Sequence, residues 1–418
     1  MNARADNQDT QTMARADEAD RLDPLKAFRE RFALPEGVIY LDGNSLGVLP
    51  AGLSAHMKDV VEQQWGERLV RGWNDAGWID LPARVAGKIA RLVGAKKDSV
   101  AVGDSTTINV FKVLSAALSL RPDRRVILSD RNNFPTDLYV ADGLARLLGQ
   151  GYELKLATAD EMEDAIDENV AAVLLTEVDY RTGRRYDMAA MTKHIHDKGA
   201  LAIWDLCHSA GAFPVHLDAA GADFAIGCGY KYLNGGPGAP AFLYIAERHV
   251  AHVAPALSGW MGHQTPFAFT ENYTPADGIA RMMVGTPPIL SMSSLDRALD
   301  AFDGVDMALV REKSQQLCDR FIAEVEQRCP ELELATPRDH DQRGSQVSFR
   351  HPEGYAVMQA LIANGVIGDF RAPDILRFGM TPLYLSHADI VTAAEILERV
   401  MRERLWDQEI YRKRAKVT

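Results

Sequence analysis

The stretch that decides the fold runs from Gly199 to Gly238 and reads GALAIWDLCHSAGAFPVHLDAAGADFAIGCGYKYLNGGPG. It contains one apolar run that ends on Asp205, and a second apolar run that leads through glycines to Lys231. Short apolar runs bounded by turn-forming residues predict buried β-strands. Each of the two predicted strands is therefore followed by an ionisable side chain.

An aspartate and a lysine at two strand ends suit a pyridoxal-phosphate site. The aspartate can keep the pyridinium nitrogen of the cofactor protonated, and the lysine can form a Schiff base with its aldehyde. Each residue also has an ordinary explanation, because a strand-end aspartate often caps a helix and a lysine after a strand is usually solvated. The glycines around Lys231 favour the cofactor interpretation, because glycine lets the backbone approach a ligand closely.

Length and composition place the chain among ordinary globular proteins. The 418 residues are enough for two domains with a substantial core, and 47% of them are hydrophobic. A formal net charge of −12 argues against nucleic acid or an anionic membrane as the main partner. No apolar run approaches the length of a membrane span.

The cysteines and histidines do not have the spacing of a metal site. His194 and His196 lie two residues apart on a predicted helix, where their side chains do not face each other. No CxxC pair occurs, so neither a zinc site nor a disulfide framework is expected, and a reducing cytoplasm fits best. The four cysteines are Cys207, Cys228, Cys318 and Cys329.

The chain divides into a tail and two domains. Residues 1–21 are polar and acidic and are expected to form a disordered tail without a signal peptide, with Met13 as an alternative start. Strands and helices then alternate, which predicts an α/β class with a large, mainly parallel-sheet domain, together with an N-terminal segment, over residues 22–289. Residues 290–418 are predicted to form a smaller α+β domain.

Candidate ligand-binding residues follow the predicted strands of the large domain. Ligands of parallel sheets gather at the carboxyl ends of the strands. The GDSTT motif at 103–107 also begins a helix, so it suits either a phosphate or a plain N-cap. Residues placed at strand ends in this way are Thr107, Phe134, Thr176, Asp205 and Lys231.

Three further motifs have two or more interpretations. GNSLG at 43–47 is either a ligand loop with Asn44 and Ser45 or a connecting turn. Trp73, in a glycine-rich loop, suits an aromatic ligand, a subunit contact or packing. Arg377 lies in an otherwise apolar strand, where it binds either a substrate carboxylate or a structural acidic partner.

Taken together, several motifs resemble the kynureninase family, whose members are pyridoxal-phosphate enzymes of the aspartate-aminotransferase fold, class V. The resemblance spans nearly the whole chain after the tail. The WDLCHSAG and GYKYLNGGPG motifs are specific to the family, whereas GDSTT alone is not. The matching motifs are GNSLG at 43–47, GDSTT at 103–107, FPTD at 134–137, WDLCHSAGAFP at 204–214, GYKYLNGGPG at 229–238, GWMGH at 259–263 and GTPPIL at 285–290.

The resemblance implies a cofactor role for each matching residue. Lys231 would hold the cofactor and move protons, and Asp205 would pair with the pyridinium nitrogen, with His208 beside it. Phe134 would stack on the cofactor ring. The pocket would be completed by Thr106, Thr107, Asp137, Thr176 and Tyr230.

The resemblance also implies a homodimer with shared active sites, because in the family Trp260 and Thr286 reach the phosphate from the neighbouring subunit. Arg377 would bind the substrate's α-carboxylate. Many relatives on the wider fold carry a serine or threonine three residues before the lysine, where this chain has Cys228. Tyr230 is the expected replacement donor to the phosphate and a candidate catalytic acid.

The implied activity is hydrolysis of L-kynurenine to anthranilate and L-alanine by cleavage of the Cβ–Cγ bond, with 3-hydroxykynurenine as a second candidate substrate. Family members that favour 3-hydroxykynurenine carry histidine at the position of Trp73 and asparagine at that of Thr286, so plain kynurenine is expected here. The alternatives on this fold are a cysteine desulfurase or selenocysteine lyase, an aminotransferase and a non-catalytic ligand sensor. A desulfurase needs a cysteine on a mobile loop, whereas Cys318 and Cys329 lie on predicted helices.

Overall fold

The computed structural model describes residues 2–415, with side chains from residue 9 onward. The strands are β1 (Phe32–Ala33), β2 (Ile39–Tyr40), β3 (Leu49–Pro50), β4 (Val100–Val102), β5 (Val126–Asp130), β6 (Glu153–Ala157), β7 (Val170–Thr176), β8 (Leu201–Asp205), β9 (Phe224–Gly227), β10 (Phe242–Ile245), β11 (Glu333–Leu334), β12 (Gln346–Arg350), β13 (Val366–Ile367), β14 (Asp369–Arg371) and β15 (Ile375–Gly379).

The α-helices are α1 (Asn2–Leu22), α2 (Leu53–Asp59), α3 (Gly72–Asp75), α4 (Leu81–Leu92), α5 (Thr106–Ser119), α6 (Pro135–Leu148), α7 (Met188–Asp197), α8 (Leu217–Ala220), α9 (Glu247–Val250), α10 (Ile289–Leu299), α11 (Met307–Arg328), α12 (Gly354–Ala363), α13 (His387–Arg402) and α14 (Glu409–Arg412). A π-helix covers Val60–Glu67. Short 3₁₀ helices cover Lys26–Arg31, Leu69–Arg71, Trp78–Asp80, Lys97–Ser99, Trp260–Gly262, Pro266–Ala268, Gly278–Met282 and Asp300–Phe302.

The chain forms two compact units. The large unit holds residues 52–180 and 186–300, and the small unit holds the remaining described residues. This differs from the predicted boundary at residue 290 and from the placement of residues 22–51 with the large domain. Backbone pairing accounts for the placement of residues 22–51, because β2 pairs in parallel with β13 of the small unit. Met1 of the predicted tail and residues 416–418 of the predicted small domain lie outside the described residues.

The large unit is built on a mainly parallel sheet, as predicted. Its strand order is β4-β10-β9-β8-β7-β5-β6. Strands β5 to β9 run parallel to one another, and β10 runs antiparallel to both β9 and β4. Strands β7 and β8 are buried at every position, which explains why both read as continuous apolar runs.

The register of the sheet aligns the carboxyl ends of its central strands. Thr176, the last residue of β7, lies opposite Asp205, the last residue of β8. Asp205 in turn lies opposite Ile226 of β9, after which the chain continues to Lys231. The three strands therefore end at one edge of the sheet, as the sequence predicts for a ligand site.

Two helices of the large unit begin directly after strands of the sheet. Helix α5 follows β4, and its N-cap Ser105 accepts a hydrogen bond from the Ile108 N–H at 3.4 Å. Helix α6 follows β5 and starts at Pro135, whose missing N–H costs nothing in a first turn. Both N-termini bring unsatisfied N–H groups and hydroxyl side chains close to strand ends.

The small unit contains the antiparallel sheet β11-β12-β15-β14 and the helices α11 and α13. Helix α1 covers most of the segment that the sequence analysis expected to be a disordered tail. Tertiary contacts account for this difference. Asp20 accepts hydrogen bonds from the N–H groups of His387 and Ala388, at 2.7 and 2.9 Å, and Asp9 pairs with Arg328 at 2.7 Å.

Within residues 2–415, no helix combines the length and the apolar character needed to cross a membrane.

Candidate active site

Lys231 lies at the centre of a group of polar and aromatic side chains in the large unit. Its Nζ atom is 3.0 Å from His208 Nε2 and 5.8 Å from the ring centroids of both Phe134 and Tyr230. Burial lowers the pKa of the Lys231 ammonium, but neighbouring ionisable groups, first those of Cys228 and Cys207, outweigh burial and raise it overall. The predicted lysine and histidine are thus in contact.

Two carboxyl groups are buried beside this lysine. Asp205 is 3% exposed and Asp137, in the first turn of α6, is fully buried. Burial first, and then the charge of Asp205, raises the pKa of Asp137 well above its usual range. Burial also raises the pKa of Asp205. The hydrogen bond that its Oδ1 accepts from the Cys207 N–H, at 2.7 Å, opposes this rise. The pKa of Asp137 is thus raised more strongly than that of Asp205, which favours the proton on Asp137.

The side-chain amide of Asn133 holds two other predicted site residues in place. Asn133 Oδ1 accepts hydrogen bonds from the Thr176 hydroxyl and from the Phe134 N–H, the latter at 2.7 Å. Phe134 is 40% exposed and meets Tyr180 edge to face, with ring centroids 5.2 Å apart. Sequence reasoning missed Asn133 and Tyr180 as site residues, although Asn133 stands directly before the FPTD motif.

Hydroxyl groups line the start of helices α5 and α6. Thr107 Oγ1 lies 2.9 Å from Thr136 Oγ1, and Thr106 Oγ1 lies 4.0 Å from Cys207 Sγ. Sequence reasoning also missed Thr136, although a hydroxyl residue in the first turn of a helix is the available signal. Hydroxyls and N–H groups at two helix N-termini form a donor set that suits a phosphate.

Tyr230 stands next to the lysine and is half-buried. Burial raises the pKa of its hydroxyl to about 12, so that it stays protonated at neutral pH. The turn that follows leaves no room for side chains, because a Cβ on Gly235 would lie 2.7 Å from the Gly229 carbonyl oxygen. Within the part of the chain that the structure describes, no cluster of three or more histidine, cysteine or acidic residues forms a metal site.

These residues fit the predicted pyridoxal-phosphate cofactor. The set offers a buried anionic carboxylate for a protonated ring nitrogen, an amine for an aldehyde, a partly exposed aromatic ring for stacking, and hydroxyls at helix ends for a phosphate. The side chains that it brings together are Thr106, Thr107, Phe134, Asp137, Thr176, Asp205, His208, Tyr230 and Lys231.

The other predicted residues of the large unit lie nearer its surface. Trp73 is half-buried and meets Trp78 edge to face at 5.9 Å. Trp260 is 40% exposed and contacts Phe267 at 5.6 Å, and Thr286 is exposed. Their roles toward a substrate or a second subunit stay predictions.

Arg377 in the small unit is held by an acidic partner. It is 1% exposed, and its guanidinium binds both carboxylate oxygens of Asp369, with Nε at 2.7 Å from Oδ1. Ser45 Oγ accepts a hydrogen bond from Arg377 at 2.5 Å and donates one to Asp369 at 2.6 Å. Of the two interpretations of Arg377, the structural ion pair is therefore present, and substrate binding stays a prediction.

Asp42 and Asn44 lie just before Ser45 in the sequence. Asn44 is fully buried and donates a hydrogen bond to Gln346 Oε1 at 3.2 Å, so its described contact is internal to the small unit. Asp42 was missed by sequence reasoning. Burial, followed by the charge of Asp369, raises the pKa of the Asp42 carboxyl to about 7.

Solved structures share the architecture of this chain. A cysteine desulfurase from Thermococcus onnurineus NA1 has a TM-score of 0.77 at 19% identity, covering 90% of this chain and 98% of that chain. A mutant of the enzyme C-DES with glycine covalently linked to its PLP cofactor has a TM-score of 0.75 at 17% identity, covering 88% and 98%. These likenesses confirm the predicted fold class.

Sequence relatives define the family. The Kynureninase C-terminal domain model matches residues 310–397. The kynureninase of Deinococcus radiodurans is 56% identical over 398 residues, covering 94% of this chain and 97% of that protein. That of Pseudomonas fluorescens is 52% identical over 406 residues, covering 96% and 98%. The chain belongs to the kynureninase family, as the motifs predict.

The raised pKa of Asp42 makes the stability of the protein pH-dependent. A carboxyl whose pKa is higher in the folded than in the unfolded state destabilises the fold as pH rises from about 4 through 7. We expect Asp42→Asn to be more stable than wild type at pH 8 by about 1–3 kcal/mol, with the difference gone near pH 4.

Urea unfolding of both proteins at the two pH values measures this. Asp341→Asn, at an exposed position of the same unit, is the matched control and should leave stability unchanged at both. Equal stability of wild type and Asp42→Asn at pH 8 would contradict the raised pKa.

Proposed function

We propose that this chain is a pyridoxal-phosphate-dependent hydrolase that converts L-kynurenine to anthranilate and L-alanine, with 3-hydroxykynurenine as a second substrate. The observation that carries the proposal is the 56% identity to a kynureninase over 94% of the chain. Such an activity serves tryptophan catabolism through the kynurenine pathway and feeds NAD biosynthesis. The free, buried thiols of all four cysteines agree with a reducing cytoplasm.

The side chains around Lys231 have separate roles in binding the cofactor. Bound pyridoxal 5'-phosphate supplies the electron sink that makes loss of the substrate's α-proton and cleavage of the Cβ–Cγ bond feasible. Asp205, which is 3% exposed, would keep a proton on the ring nitrogen, and His208 contacts the lysine. Phe134 would stack on the cofactor ring, and the hydroxyls of Thr106, Thr107 and Thr136 would hold its phosphate.

Lys231 and Tyr230 move protons at the reacting carbons. With the cofactor bound, the Lys231 amine would be its covalent attachment point and, once the substrate is in place, the base at the α-carbon. The Tyr230 hydroxyl, with its pKa raised to about 12, is still protonated at neutral pH and donates a proton to the β-carbon of the alanine product. Water attacks the γ-carbonyl, which makes the reaction a hydrolysis.

Arg377 is the proposed binding group for the substrate's α-carboxylate. We assign this role to the Arg377 guanidinium, whose plane is fixed by its bidentate contact with Asp369 and by Ser45. Asn44 orients the loop that carries Ser45, through its hydrogen bond to Gln346. Trp73 is assigned to the aromatic end of the substrate.

The rival activities on this fold are less favoured. A cysteine desulfurase or selenocysteine lyase needs an accessible nucleophilic cysteine, whereas all four cysteines of this chain are buried. The relatives at 51–56% identity are kynureninases, which favours hydrolysis over amino-group transfer or a non-catalytic sensor role.

The active form is proposed to be a homodimer with shared active sites. Trp260 is 40% exposed and Thr286 is also exposed, so both are accessible to a second copy of the chain. In this arrangement each subunit contributes these two residues to the phosphate site of its partner.

The activity can be tested by product analysis with a lysine control. We expect the wild type to release anthranilate and alanine in equal amounts from L-kynurenine. Lys231→Ala should lose at least about 10³-fold in kcat, because the base and the covalent attachment point are both removed. Lys193→Ala, at a residue with a 74% exposed side chain, should keep full activity. A cofactor-loaded wild type that produces no anthranilate would refute the function.

The shared sites can be tested by mixing two inactive variants. A Lys231→Ala subunit supplies intact Trp260 and Thr286 to its partner, and a Trp260→Ala/Thr286→Val double variant supplies an intact lysine. After dissociation and joint reassembly, hybrid dimers contain one complete site, so we expect activity of up to about a quarter of the wild-type level in the mixture. Activity that never exceeds that of the unmixed variants would contradict shared sites.

A further inference from the structure

A buried lysine on helix α5 has no part in the site described so far. The Lys112 side chain is only 3% exposed, and its ammonium makes two contacts. One is an ion pair with Asp104 Oδ2 at 2.7 Å, and the other is a hydrogen bond to the Met282 carbonyl oxygen at 2.8 Å. Lysine is rarely this buried unless it is paired, because removing its charge from water costs several kcal/mol.

The first contact holds a strained turn at the start of the phosphate-binding motif. Asp104 is a non-glycine residue in the left-handed region, with φ of 56°. Its carbonyl accepts a hydrogen bond from the Ala241 N–H at 3.0 Å, and the next residue, Ser105, caps helix α5. This conformation persists only where the surroundings enforce it. The ion pair with Lys112 is such a constraint, and the turn sets where Thr106 and Thr107 begin the helix.

The second contact holds a different segment of the large unit. Met282 ends the 3₁₀ helix Gly278–Met282, shortly before Thr286. Two residues further, the Val284 carbonyl accepts a hydrogen bond from the Met261 N–H at 3.2 Å. A Cβ on Gly259 would lie 2.1 Å from that same carbonyl oxygen, so the loop that carries Trp260 packs directly against this segment.

One ammonium therefore joins the two parts of the chain that were assigned to phosphate binding. On one side are the hydroxyls of Thr106 and Thr107, proposed for the phosphate of the same subunit. On the other side is the segment that leads to Thr286, with the Trp260 loop packed against it, both proposed for the phosphate site of the partner. The Met283 methyl, 3.8 Å from a Cβ placed on Gly103, adds an apolar contact between the same two parts.

We propose that Lys112 is a positioning residue for the cofactor phosphate. By fixing the Asp104 turn and the Met282 carbonyl relative to each other, it sets the positions of the hydroxyl donors that α5 presents and of the segment that ends at Thr286. It acts through these groups. The inference rests on the proposed cofactor and adds a residue to its phosphate site.

The test compares two ligands that differ only in the phosphate. Holoenzyme is stripped of cofactor by dialysis, and dissociation constants are measured for pyridoxal 5'-phosphate and for pyridoxal. We expect Lys112→Met to weaken binding of pyridoxal 5'-phosphate by about tenfold or more and that of pyridoxal by no more than about twofold. Lys88→Met, which removes another ion-paired lysine of the large unit, should change neither constant by more than about twofold.

A second variant keeps the test decisive if Lys112→Met does not fold. Asp104→Asn removes the charge partner but keeps a residue type that tolerates positive φ. It should weaken pyridoxal 5'-phosphate selectively, in the same direction as Lys112→Met. Equal weakening of both ligands, or unchanged affinity for pyridoxal 5'-phosphate in the folded variant, would overturn the inference. A wild type that binds the phosphorylated ligand no better than pyridoxal would instead refute the proposed cofactor.

Discussion

The large unit depends on a carboxylate held at the end of a strand without exposed positions. Every residue of β8 is buried, and its last residue is Asp205. Burying a charge in apolar surroundings costs several kcal/mol unless partners compensate for it. The Cys207 N–H donates a hydrogen bond to this carboxyl group, and the positive charge of Lys231 favours its ionised form. The site residues are therefore held in place by one another, and a cationic ring nitrogen would extend the same set of contacts.

The small unit also contains a buried charge, in this case the positive charge of an arginine. Arg377 is 1% exposed in strand β15, and Asp369 of the neighbouring strand β14 lies opposite it in the register. This pairing fixes the guanidinium, and Ser45 bridges the two charges. The bidentate contact fixes the plane of the guanidinium, and its role toward a substrate carboxylate stays a prediction.

The predictable parts of the fold were those with a strong local signal. Strands β7 and β8 are continuous apolar runs, whereas edge strand β6 (ELKLA) alternates exposed and half-buried residues and was missed. Helix α1 has a polar sequence and is stabilised by tertiary contacts such as the ion pair of Asp9 with Arg328. A local sequence pattern does not predict such contacts. Asp205 and Lys231 were predicted correctly as neighbours because two signals agreed. Both follow apolar strands, and both lie in motifs that resemble the family. Lys112 was not predicted, because its burial and the left-handed turn at Asp104 exist only in three dimensions.

The fold is shared with cysteine desulfurases at under 20% identity, so the chemistry depends on the site and not on the architecture. The central claim is that Lys231 covalently holds the cofactor at the strand ends beside Asp205. Its most direct test is borohydride reduction of the cofactor-loaded protein, followed by peptide mapping with mass spectrometry. The account predicts a pyridoxyl group on the peptide that contains Lys231. A label on any other lysine, or no covalent label, would contradict it.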